Sequence, residues 1–141
     1  MSLKIKFDME LIQIMSLFQA ITRTDVKDCF DQGEKLVFIV PAAQIGKAIG
    51  KASVNVKKLE LKLKKKIRII AYSEIPEQFI KNIVYPLRLT EIDTDPETKI
   101  MTLTAFDSKT RGYLIGRAAS NLRNYEMIIK RHFDIKELKV N

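Results

Sequence analysis

Two stretches of this 141-residue chain carry residue types suited to holding a phosphate backbone, Ala48-Ile49-Gly50-Lys51-Ala52-Ser53 and Leu114-Ile115-Gly116-Arg117-Ala118-Ala119. In each, a glycine and small residues make a turn that leaves the main chain open to close approach, and one cation, Lys51 or Arg117, stands within it. Each turn is followed by a basic amphipathic helix. The chemistry this arrangement suits is non-covalent, with a cation and backbone N–H groups facing a chain of phosphates.

The repeat extends past these six residues. With Gly50 laid on Gly116, Asn55 falls on Asn121, Val56 on Leu122, Lys57 on Arg123 and Glu60 on Glu126, a constant offset of 66 residues and close to half the chain. Two tandem copies of a small domain, residues 1–73 and 74–141, account for the length better than one larger domain.

Catalytic chemistry finds little support. Gly46-Lys47-Ala48-Ile49-Gly50-Lys51-Ala52-Ser53 resembles a nucleotide-binding loop only superficially. Its glycines enclose three residues where four are needed, and Ala52 stands where a hydroxyl must reach magnesium. His132, the one histidine, lacks the partners of a zinc site and is expected to pack or cap beside Phe133. Asp93, Asp95 and Glu97 flank Pro96 and read as a solvated turn. The single cysteine, Cys29, excludes an internal disulfide and a thiolate metal cluster; between Val26 and Phe30 it reads as a buried thiol. No nucleophile, base and orienting group occur at recognisable spacing, so neither an enzyme, a cofactor nor a metal is expected.

Charge is concentrated where the repeat lies. Residues 47–68 hold nine basic side chains and one acid, net +8, which equals the charge of the whole chain. Residues 109–131 add six bases against Glu126, net +5, leaving −5 elsewhere. Two basic concentrations at equivalent repeat positions point to a polyanionic partner. Hydrophobic residues make up 46% of the chain, enough for two small cores. No apolar run approaches the ~20 residues of a membrane helix, and no signal-peptide pattern opens the chain, so a cytoplasmic protein with no membrane partner is expected.

The elements that would position the turns occur in the same order twice. Asp8 is placed to cap a helix through Leu11, Ile12, Ile14, Met15, Phe18 and Ile21. Val26 to Phe30 and Lys35 to Val40 read as strands around an Asp31-Gln32-Gly33-Glu34 turn. Ala42 to Ile49 is a short helix, Ser53 opens the basic helix to about Lys65, and Lys66 to Tyr72 is a strand. After Ser73-Glu74-Ile75-Pro76 the second copy follows, with a helix over Glu77 to Tyr85, strands over Arg88 to Asp93 and Lys99 to Ala105, and a cap at Asp107 or Ser108. The long helix runs Ser120 to His132, and Lys136 to Val140 closes the copy. Both copies read as α+β units with helices packed on one face of a three-stranded sheet.

These elements, with Val26-Lys27-Asp28-Cys29, Ala48-Ile49-Gly50-Lys51, Asn55-Val56-Lys57-Lys58-Leu59-Glu60, Pro76-Glu77-Gln78-Phe79-Ile80-Lys81-Asn82 and Lys130-Arg131-His132-Phe133-Asp134-Ile135, resemble a pair of type II KH domains. More narrowly, the chain resembles the short archaeal NusA-like transcription factors, and the similarity spans nearly its whole length. The resemblance implies binding of single-stranded RNA and a role in transcription termination or antitermination. RNA would meet Ile49, Gly50, Lys51, Ala52 and Ser53 in the first turn and Ile115, Gly116, Arg117, Ala118 and Ala119 in the second. Lys57, Lys58 and Arg123 would flank the groove or form a solvated helix face. Val56 and Leu122, with Ile49 and Ile115, would form groove floors or ordinary core. Ser53 and Ser120 are read as helix N-termini facing phosphate.

KH turns of this kind end in a second glycine, whereas Ser53 and Ala119 stand there, preceded by Ala52 and Ala118. Either the turn conformation needs no glycine, or the methyl groups weaken phosphate contact. The short connection at 73–76 implies that the two turns cooperate on one RNA. RNA polymerase or another transcription factor is a further expected partner. The alternative is a KH-shaped module with weakened RNA binding that docks on polymerase or a ribosome-assembly factor. A monomer is the default expectation.

Overall fold

The computed structural model describes the backbone from Ser2 to Asn141 and the side chains from Glu10 onward. The chain divides into two compact units, Met1–Ser73 and Glu74–Asn141. Among the described residues the architecture is α+β, with six α-helices and two three-stranded sheets.

In the first unit, α1 (Ser2–Thr22) is followed by β1 (Asp28–Asp31) and β2 (Lys35–Val40). A 3-10 turn over Ala42–Gln44 leads into α2 (Ile45–Ile49), a second over Lys51–Ser53 into α3 (Val54–Leu63), and β3 (Lys66–Ala71) ends the unit. β2 is the central strand, antiparallel to β1 and parallel to β3, with Phe38 opposite Cys29 on one side and Ile69 on the other. Parallel neighbours cannot be joined by a hairpin, so the chain must cross over the sheet between β2 and β3. The crossover is α2, the glycine turn and α3. That requirement places the turn between two helices.

The alternate side chains Leu36, Phe38 and Val40 of β2 share one face and meet Phe18 of α1, Ala48 of α2 and Leu59 of α3 in a buried cluster with Cys29 and Ile67. The Phe18 and Phe38 rings stack at 4.2 Å. Each fully buried Leu, Val or Phe of this cluster stabilises the fold by about 1.5–3 kcal/mol, while the short helix α2 contributes the small buried Ala48 and the partly buried Ile45 packed against it.

The second unit repeats the order with α4 (Pro76–Val84), β4 (Leu89–Thr94), β5 (Ile100–Ala105), α5 (Ser108–Ile115), a 3-10 turn over Arg117–Ala119, α6 (Ser120–His132) and β6 (Glu137–Val140). β5 is central, antiparallel to β4 and parallel to β6. Met101 and Leu103 alternate into a core completed by Phe79, Ile80, Ile83, Leu114, Ile129 and Leu138. Pro76 occupies the first turn of α4, where its missing N–H costs nothing.

Several boundaries differ from the sequence expectation. α1 begins at Ser2, and the expected cap at Asp8 lies outside the residues whose side chains are described. Val26 precedes β1 rather than opening it. Ser53 is the N-cap residue of α3 but forms no side-chain capping bond, whereas Ser120 is the first residue of α6. The two serines therefore occupy different helix positions, and the shared feature of the turns lies in the backbone. Among the described residues, no helix is long and apolar enough to cross a membrane.

Candidate nucleic-acid interface

Both turns are built by the same sequence of backbone conformations. Gly50 ends α2 at φ 81°, ψ 164°, and Gly116 ends α5 at φ 74°, ψ 178°. In each the glycine N–H donates to a carbonyl four residues back, Gly46 or Gly112, at 2.9 Å. Lys51 and Arg117 come next, and then two consecutive residues enter the left-handed region. These are Ala52 (φ 54°, ψ 32°) and Ser53 (φ 60°, ψ 29°) in the first turn. They are Ala118 (φ 52°, ψ 34°) and Ala119 (φ 60°, ψ 23°) in the second. The chain returns to helix at Val54 and Ser120.

The question left by the missing second glycine has a conformational answer. The turns adopt the positive φ that a glycine would accept freely, and they do so with residues bearing a Cβ. Each such residue costs on the order of 1–2 kcal/mol. Two structural devices oppose that strain. The Asn55 amide Nδ2 donates to the Lys47 carbonyl at 3.0 Å and the Asn121 Nδ2 to the Tyr113 carbonyl at 2.8 Å, tying the first turn of each long helix to the last turn of the short one. Each asparagine also lies against the glycine, where an added Cβ would come within 3.0 Å of Asn55 Nδ2 at Gly50 and within 2.7 Å of Asn121 at Gly116. The two glycines are required both by φ and by the asparagine packed on them.

The structure sorts the expected site residues by availability. Lys51, Ala52 and Ser53 are exposed, as are Arg117 and Ala118, while Ala119 is half-buried. Lys51 and Arg117 form no ion pair among the described residues. Lys57 and Lys58 lie exposed on α3. Arg123, by contrast, donates from Nη1 to Glu126 Oε2 at 2.7 Å, so its charge is already partly answered. Ile49 and Ile115 are half-buried beside the glycines. Val56 packs against the first core and Leu122 is 7% exposed, so both serve as core residues. Lys65 in the basic run is bound to Asp31 at 2.9 Å and anchors the α3–β3 connection to the β1–β2 turn.

The repeat also ties each long helix to its sheet. Glu60 Oε2 accepts the Ile67 N–H at 3.2 Å, and Glu126 Oε2 accepts the Leu138 N–H at 2.9 Å, each bonding the long helix to the second residue of its last strand. Asp107 caps α5 by accepting the Thr110 N–H at 2.7 Å, and the Thr110 hydroxyl, followed by this N–H, holds its carboxyl below the usual range. Asp95 accepts the Glu97 and Thr98 N–H groups at 2.8 and 3.3 Å, forming a turn that depresses its pKa in the same way. The Phe79 ring meets His132 edge to face at 5.7 Å, placing the histidine in a packing role. Among the described residues no cluster of three metal-ligating side chains occurs. The sequence assigns Asn55 and Asn121 no functional role; their recurrence at the 66-residue offset was the signal.

No family model matches the chain. It is 33% identical over 138 residues to the probable transcription termination protein NusA of Methanocaldococcus jannaschii, covering 97% of this chain and 75% of that one. The chain belongs to the archaeal NusA-like family. The NusA-like assignment extends to the Methanococcus vannielii protein of the same name, 35% identical over 139 residues and covering 98% and 80% of the two chains. The Halobacterium salinarum counterpart is 23% identical over 136 residues, covering 96% and 98%. The fold of this NusA-like chain is also that of the crystal structure of APE1850, with a TM-score of 0.78 at 21% identity over 94% of this chain and 99% of that one.

Proposed function

We propose that the chain binds single-stranded RNA through its two helix-turn-helix turns and acts on transcripts in termination or antitermination. The observation that carries this reading is the duplication of one strained turn, with matching dihedral angles and an exposed cation at the same position in both copies. The parallel pairing of the central and last strands, with the helix pair in the crossover, supports reading each unit as a type II KH domain. The names of the relatives support the transcriptional role.

Phosphates would meet Lys51, Arg117 and the backbone of residues 50–53 and 116–119, with Lys57 and Lys58 flanking the first site and Arg123 contributing less because Glu126 holds it. Ile49 and Ile115 would offer the apolar edge of each groove. The protein acts as a cytoplasmic monomer without cofactor or metal and is not an enzyme; its further partner is RNA polymerase or another transcription factor.

The test is binding of a fluorescent mixed-sequence single-stranded RNA at two salt concentrations, comparing the native chain with a Lys51→Glu, Arg117→Glu double variant of unchanged fold. Phosphate contact releases counterions, so native binding is expected to weaken steeply with salt and to be lost in the double variant. A native chain that binds no RNA at low salt overturns the reading. It would favour the second one, a docking module for polymerase or a ribosome-assembly factor, to which the four Cβ-bearing turn residues also lend support.

A further inference from the structure

The two turns share their backbone, and among the equivalent positions where their residues differ, one exchanges a cation for an aromatic ring. Lys47 and Tyr113 are each the residue whose carbonyl accepts the clamping asparagine, so their correspondence rests on geometry as well as on the 66-residue offset. Each lies one helical turn before its glycine. In the first copy the position adds a cation to a segment already rich in lysine. In the second it carries a tyrosine that is 55% exposed, beside Leu114, which is fully buried. A tyrosine exposed to this extent leaves much of its aromatic surface available to a ligand. Arg117 and Lys109, both exposed, supply the positive surroundings that attract a polyanion to that same turn.

We propose that Tyr113 is a stacking platform for an unpaired nucleobase, so that the second turn grips a base where the first turn, with Lys47, grips an additional phosphate. The inference rests on the RNA-binding reading above and deepens it by dividing the labour between the copies. Stacking on a tyrosine ring is tolerant of base identity and nearly independent of ionic strength, whereas a lysine–phosphate contact contributes to the salt slope. The two positions therefore have different signatures in one experiment.

Affinity for a mixed-sequence 12-nucleotide RNA is measured across a salt series for the native chain and for Tyr113→Ala, Tyr113→Phe and Lys47→Ala, each checked by thermal unfolding. Tyr113→Ala is expected to weaken binding on the order of tenfold to a hundredfold with the salt slope unchanged, and Tyr113→Phe to bind as the native chain does. Lys47→Ala is expected to flatten the slope by about 0.7. Tyr113→Ala binding as tightly as the native chain overturns the stacking proposal while leaving RNA binding intact. A slope change at Tyr113→Ala equal to that at Lys47→Ala also overturns it. A native chain that binds no RNA at any salt concentration overturns both readings together.

Discussion

The Asn121 side-chain amide donates to the main-chain carbonyl of Tyr113 at 2.8 Å and lies against the α-carbon of Gly116. Asn55 does the same for Lys47 and Gly50 at 3.0 Å. One side chain thus holds two helices at a fixed angle and fills the space that a glycine Cβ would need. A turn with two consecutive left-handed residues persists because such contacts determine it from outside.

Removing the clamp is therefore expected to act on stability before it acts on binding. Asn121→Ala leaves the Tyr113 carbonyl without this partner and is expected to cost about 1–2 kcal/mol in urea unfolding. Gly116→Ala is expected to cost at least as much, since it combines positive φ with a contact at 2.7 Å. An Asn121→Ala protein with native stability would mean that the clamp is incidental.

Restoring the missing glycines tests the strain directly. Ser53→Gly and Ala119→Gly each relieve a residue at φ 60°, at the expense of a more flexible unfolded chain. The expected net is a gain of about 0.5 kcal/mol each, read as a raised urea midpoint, together with tighter RNA binding because the backbone is less shielded. Loss of stability in both variants would contradict a strained left-handed turn.

The helix-face cations are expected to separate by their pairing. Lys57→Ala should reduce the salt slope of RNA binding, while Arg123→Ala should change it less because Glu126 already holds the guanidinium at 2.7 Å. Equal slope changes in a salt titration would show that the ion pair opens freely to RNA.

Cys29 offers a readout of the first core. Burial, reinforced by the charges of Asp28 and Asp31, pushes its thiol up from 9.0 to about 12. The unfolded chain thus loses the proton first, so this group's contribution is constant below pH 9 and stability falls as pH rises from about 9 to 12. At pH 8 an aromatic disulfide reagent is expected to react slowly with the folded protein and rapidly in urea. Fast reaction under native conditions would contradict the buried position.

With both turns holding RNA as proposed, longer strands are expected to be favoured. A strand of roughly eight or more nucleotides should bind more tightly than one of about four, through the effective concentration of the second site. Equal affinities in a length series would mean that the turns act separately.

The repeat was legible without coordinates because the offset of 66 residues aligns groups with distinct jobs, and Gly50, Asn55 and Glu60 recur as Gly116, Asn121 and Glu126. So were the element order, the buried thiol of Cys29 and the central strand Lys35–Val40, since alternation and turn residues are local signals. The start of α1 was not legible, because nothing local says that the helix continues back to Ser2. Charge counts were legible, but the separation of exposed Lys51 and Arg117 from paired Arg123 and Lys65 was not, because pairing depends on which helix face meets which loop.

Sequence alone determined that two equivalent basic turns exist, since residue identity and spacing are properties of the chain. Only tertiary structure decided their shape. Small residues permit many turns, and it is the crossover between parallel strands, with Asn55 and Asn121 bridging the helices it contains, that selects the left-handed one.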